Sequence, residues 1–145
     1  MGNAAPSSSA LSARPLRLAL VYDCLYPQTI GGIEHRNAQL ATMLSARGHR
    51  VTLAGLGTIP APVPGVEILS LGRSASAGPR RSGASAVRFA ASMFRLPLGR
   101  FDLVEAANVP FAHLFPLALR CRVARVPLLV TWHEVWGSYW RSFSG

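Results

Sequence analysis

The feature that most constrains this chain is a repeated change of hydrophobic period. Short apolar runs, "LRLALVYD" (16–23), "HRVTLAGL", "VEILSLG", "FDLVEAAN" and "VPLLVTW", are separated by longer stretches of helical spacing. Runs of that length, bounded by Gly and Pro, suit buried strands better than helices. Between the first two, Ile33, Asn37, Leu40, Ala41 and Leu44 recur on one helical face, with Arg36, Gln39 and Arg47 turned outward. Gly48 stands where a helix stops at a left-handed residue. Strands that alternate with helices pair in parallel, because parallel neighbours need crossovers. The expected fold is α/β, a Rossmann-like doubly wound parallel sheet of about five strands in the order 3-2-1-4-5.

Two further helices complete the pattern. In "ASAVRFAASMFRL", Ser85, Arg88, Ser92 and Arg95 share one face, and Phe89, Met93 and Leu96 another. "FAHLFPLALRCRVAR" reads as a helix with Pro116 early in it. In such a sheet, ligands sit beyond the carboxyl ends of the strands, where the strand order reverses. That rule selects Tyr22, Asp23 and the loop to Gly32, Asn108 after the fourth strand, and His133 and Glu134 after the fifth.

The chain has 145 residues, the size of one domain. Its net charge is +9, and all fifteen basic residues are arginine. A basic surface favours an anionic partner. Nucleic acid is not the expected one, since no zinc-ligand spacing, RNP-like segment or basic recognition helix is present. Residues 1–15 read as a disordered leader; they lack the apolar core of a secretory signal, and Pro6 breaks a myristoylation pattern. No apolar run reaches the ~18 residues that would span a bilayer. Cys24 and Cys121 read as buried thiols of a reducing compartment, so a cytoplasmic chain is expected. The region Arg80–Arg100 has two readings. It is either a solvated face or an amphipathic surface for anionic lipid or a phosphorylated acceptor, peripheral at the inner face of the membrane.

Three short motifs carry the candidate chemistry. In "GGIE", Gly31 and Gly32 at a helix start allow close backbone approach, and exposed N–H groups there favour an anion such as a diphosphate. The same residues also make a plain tight turn with Glu34 in a favourable first-turn position. "HE" is not a zinc-protease motif, because the position four residues after His133 is Gly137. It leaves an imidazole and a carboxylate, His133 and Glu134, at a strand end, suited to substrate contact or general acid/base work. Trp132, Trp136 and Trp140 do not share one continuous helix, because Gly137 interrupts it; a helix is expected to begin near Ser138. The tryptophans serve packing, or a ring wall for a sugar or a partner domain.

Taken together, "RLALVYDCLYPQTIGGIEHRNAQLATMLSARGHRVTLAG", "FDLVEAANVPF" and "PLLVTWHEVWGSYW" resemble the N-terminal, acceptor-side domain of retaining glycosyltransferases of the GT-B fold. That large group includes the phosphatidylinositol mannosyltransferases. The resemblance covers 16–143 and implies a Rossmann-like half of a two-domain enzyme. Such an enzyme transfers a sugar from a nucleoside-diphosphate sugar to a lipid, saccharide or small-molecule acceptor with retention. It further implies that Gly31 and Gly32 lie against the donor diphosphate and that His133 contacts the transferred sugar. Asp23 and Asn108 would face the acceptor, with Glu34 at a position that varies in the family. No metal or other cofactor is expected, since helix dipoles and basic groups stabilise the leaving diphosphate. On this resemblance the domain is 16–145, the C-terminal donor-binding domain is absent, and the chain is a fragment, a truncated frame or half of a split enzyme that alone transfers no sugar.

Two other classes remain. One is a nucleotide-binding Rossmann-like module, disfavoured by the missing third glycine and by "LAGLG" in place of an acid after the second strand. The other is a non-catalytic interaction domain of the same fold.

Overall fold

Apolar runs too short for helices become strands, and the stretches between them coil over both faces of the sheet. In a computed structural model, which describes residues 14–57, 65–73 and 83–133, the strands are β1 (Arg17–Val21), β2 (Arg50–Leu56), β3 (Glu67–Gly72), β4 (Leu103–Ala107) and β5 (Leu128–Thr131). The helices are α1 (Gly32–Ala46), α2 (Gly83–Ser92) and α3 (Leu114–Ala124). The sheet runs β3-β2-β1-β4-β5 with every neighbour parallel, which is the expected order. Of the four neighbouring pairs only β1-β4 is not consecutive in sequence, and the reversal lies between those two strands.

The period of two along each strand divides the core. Ala19, Val21, Val104 and Ala106 point to one face, where Phe89, Met93, Leu96, Leu117 and Cys121 close over them. Leu18, Leu20, Val51 and Leu53 point to the other, where Ala41, Leu40 and Leu44 of α1 pack. Burying a side chain the size of Phe89 completely contributes about 3 kcal/mol.

Local chemistry sets the element ends. Gly48 takes φ +87°, and its N–H reaches Ser45 O at 2.9 Å, ending α1 as expected. Pro116 lies in the first turn of α3, where its missing N–H costs nothing. The second helix is shorter than its spacing predicts. It stops at Ser92, whose hydroxyl donates to Phe89 O at 2.7 Å, and continues as two 3-10 turns, Met93–Arg95 and Leu98–Arg100. Pro97 holds Leu96 in extended backbone between them. As a result Ser92 is buried rather than aligned with Arg88, and Arg95 Nη1 donates to Leu71 O at 2.9 Å at the end of β3.

At the opposite, amino end of the sheet, Arg17 donates to Asp102 through its backbone N–H (2.8 Å) and its guanidinium (3.2 and 2.9 Å). Those hydrogen bonds hold the Asp102 carboxyl well below the usual carboxylate range. No helix among the described residues is long and apolar enough to cross a membrane.

Candidate functional site

The carboxyl ends of β1, β4 and β5 and the start of α1 meet at one edge of the sheet. At β1, Tyr22 is buried and its N–H donates to Ala54 O (3.1 Å), while Asp23 O accepts from Leu56 N (3.2 Å). These bonds carry the β1 pairing one step past the strand and fix Asp23 at the rim. Gly55 permits this closeness: a β-carbon there would collide with Tyr22 O and lie 2.8 Å from Leu25.

Asn108 leaves β4 almost wholly buried, with its N–H on Thr131 O at 3.0 Å. Its Oδ1 accepts the backbone N–H of His133 at 3.4 Å, a long bond that still aligns the end of β5 with the end of β4. Asn108 O accepts from Phe111 N at 2.9 Å, closing a turn in which Phe111 has φ 41°. That turn brings the Phe111 ring to 6.0 Å from the ring of Trp132, which is 62% exposed. An open aromatic wall therefore stands beside His133. The structure thus brings Asn108 and His133 together as expected, while Glu134, Trp136 and Trp140 lie outside the described residues.

The glycine turn is built differently. Gly31, at φ −150°, is ordinary extended backbone, so its lack of a side chain answers to space. A β-carbon on it would stand 2.5 Å from Glu34 Oε2. Glu34 is buried and folds back over the helix start, where the N-terminal end of the dipole favours its charge. A β-carbon on Gly32 meets nothing within 4 Å, so the approach to the second glycine is open. The arrangement supports the first-turn reading of Glu34 and makes it the wall of the glycine seat.

Two groups of residues escaped the sequence reading. The first is Glu105, in the middle of β4 and 3% exposed. Arg36 Nη1 donates to its Oε1 at 2.9 Å, and Thr131 Oγ1 donates to the same oxygen. Arg36 also donates to Asn37 Oδ1 at 2.9 Å. It therefore turns inward rather than outward, because an ionised carboxylate inside a sheet face requires a partner. Glu105 Oε2 has no partner among the described residues, and Glu105 lines a cavity of about 100 Å³ together with Leu18, Leu40, Leu103 and Leu129 among others. The signal was an acid in the middle of an otherwise apolar strand, "FDLVEAAN".

The second is His113, fully buried at the start of α3, its ring 4.8 Å from that of Phe89. Neither ring nitrogen makes a hydrogen bond of good geometry. Burial pushes its pKa down to about 4, opposed by the charge of Asp23 and by a weaker contact with the Ala107 backbone. His113 is thus a neutral imidazole beneath the rim at ordinary pH. Burial likewise raises the Cys121 thiol, whereas Cys24, at the rim after β1, is only partly buried and departs from the expected pair of buried thiols. Among the described residues no group of three or more His, Cys, Asp or Glu side chains could hold a metal.

A family model described as a glycosyl transferase 4-like domain matches residues 31–144, from the glycine turn through the end of the sheet and beyond. Among solved structures, a crystal structure described as the glycotransferase of kitacinnamycin is similar in fold, with a TM-score of 0.58 and 20% identity. The likeness covers 89% of this chain and 33% of the other, so this chain spans about a third of that protein's length. No curated protein matches the sequence.

Proposed function

The chain belongs to the glycosyl transferase 4-like domain family, and from that premise we propose that it is the acceptor-side half of a retaining sugar transferase. In this reading a hexosyl group leaves a nucleoside diphosphate and joins an acceptor hydroxyl. The bond from the anomeric carbon to the diphosphate oxygen breaks with its electron pair on the phosphate. The acceptor oxygen forms the new bond and gives up its proton to the Glu134 carboxylate, the acid/base group of this reading. The observation that carries the proposal is the pairing of Asn108 with His133 at the carboxyl edge of the sheet, in the same rim as an open glycine seat.

Each residue has a task within that reading. The N–H groups around Gly31 and Gly32 receive the donor diphosphate, aided by the helix dipole of α1. Glu34, packed on Gly31, shapes that seat. His133 contacts the transferred sugar near its reacting carbon, with the Trp132–Phe111 wall against the apolar face of a ring. Asp23 and Asn108 face the acceptor, and Glu134 supplies acid/base function after His133. Neither metal nor cofactor takes part. In this reading the facing wall of the cleft comes from a donor-binding domain. The reaction is cytoplasmic, where Cys24 and Cys121 stay as thiols.

The proposal is tested by substituting His133→Ala in an enzyme that carries this domain together with a donor-binding domain. Turnover is expected to fall roughly a hundredfold or more, as for loss of a group acting on the transition state, with the fold intact by circular dichroism. Unchanged turnover would remove His133 from the site. Tight binding of a nicotinamide dinucleotide by the chain would instead support a dehydrogenase-type module.

A further inference from the structure

The outward side of α3 does not look like the outside of a water-facing helix. Phe115, Leu119 and Val123 follow one another at intervals of four, on one helical face, and are 78%, 63% and 77% exposed. The buried side of the same helix is formed by Leu117 and Cys121, so α3 is apolar both inward and outward. Phe94 of the neighbouring 3-10 turn is 68% exposed and extends this surface. Arg120 joins the two: it donates to Met93 O and lies 5.8 Å from the centre of the Phe94 ring.

Among the described residues, the charge around this stripe is of one sign. Helical spacing puts Arg120 on one flank of the stripe and Arg122 on the other, and Arg125 ends the helix. No carboxylate occurs among residues 83–101 or 106–133. The described acids of the sheet are held elsewhere, Asp102 by Arg17, Glu67 by Arg100 and Glu105 by Arg36. A second copy of this face would meet it with like charge, which disfavours self-association. A row of Phe, Leu and Val flanked by arginines, whose long stems can lie along apolar surface, has the make-up of a helix lying in a lipid interface.

We propose that the outer face of α3, with Phe94, is a docking surface for an anionic phospholipid membrane. The apolar row enters the boundary of headgroups and acyl chains, and the arginines remain at the phosphates. The sequence suggested such contact for Arg80–Arg100; the surface assembled in the fold centres instead on α3 and takes only Phe94 from that region. The proposal depends on this surface alone and stands or falls separately from the transfer chemistry.

Sedimentation with vesicles tests it, using pure phosphatidylcholine and phosphatidylcholine mixed with phosphatidylglycerol. The chain is expected to pellet with the anionic vesicles only. Leu119→Asp should abolish this binding. Arg122→Gln and Arg125→Gln should each weaken it roughly fivefold, as for loss of one basic side chain near an anionic surface. All three positions are exposed, and circular dichroism confirms that the variants keep the fold. Equal binding to both vesicle types, no binding to either, or unaltered binding of Leu119→Asp would overturn the proposal. So would a concentration-dependent dimer that Leu119→Asp dissolves, since the face would then serve association between copies.

Discussion

The two faces of the sheet are built from the same five strands and hold together by different means. On the α2 and α3 side, Phe89, Met93, Leu96 and Leu117 are completely buried against small strand residues such as Ala19 and Ala106. On the α1 side, the helix covers β1 and β2 with aliphatic contacts, while β4 carries the buried Glu105, held by Arg36 and Thr131. Leu129 of β5, on that same side, stays 53% exposed. The first face supplies most of the packing energy. The second supplies position: Arg36 belongs to the helix that starts at the glycine turn, and Glu105 and Thr131 belong to the strands that end at Asn108 and His133. One ion pair therefore ties the two parts of the candidate site together.

This contrast is broken most severely on the packed face. Phe89→Ala is expected to cost about 3–5 kcal/mol, from lost burial and the cavity left behind, measured by denaturant unfolding. A loss below about 1 kcal/mol would mean that the face repacks easily.

The same face should also carry a pH dependence. His113 titrates near 4 in the folded chain against an ordinary value of 6.5. Its neutral form is the one the fold prefers, so its contribution is complete above pH 6.5 and is lost as pH falls towards about 4. The loss is on the order of 3 kcal/mol. His113→Leu should flatten stability across that window, whereas the Arg17–Asp102 pair can act only at lower pH. A slope that persists in His113→Leu would assign the titration to another group.

The positional face should respond less to a single change and more to its pairing. Arg36→Met leaves Glu105 without its cation and is expected to cost about 2 kcal/mol, below the figure for a fully buried pair because Arg36 is partly in water. Adding Glu105→Leu to Arg36→Met should recover most of that loss, because an apolar pair replaces a desolvated charge. Equal costs for the single and double variants would show that the ion pair does not govern this face.

Much of this architecture was legible in the chain. The five runs and the helices between them set the strand order, since right-handed crossovers leave few alternatives. The rim followed from that order, and Asn108 and His133 meet there. What escaped depended on partners distant in sequence. Arg36 has outward helical spacing, yet Glu105 lies 69 residues away and draws it inward. His113 fell inside the run expected to be helical, with nothing to mark it, and only the approach of Phe89 shows that it is enclosed at the helix start. The second helix ended early because Pro97 acts on Leu96, a local signal present in the sequence. Glu134 and the last two tryptophans fall beyond the described residues.

We propose that the rim joining the glycine turn to Asn108 and His133 receives a sugar nucleotide. Amide chemical shifts of the chain, followed by NMR while nucleoside-diphosphate sugars are added to millimolar concentration, test it most directly. Weak binding is expected, with shifts concentrated at Gly31, Gly32, Asn108 and His133. Shifts confined to other surfaces, or unchanged signals at these four amides, would contradict it.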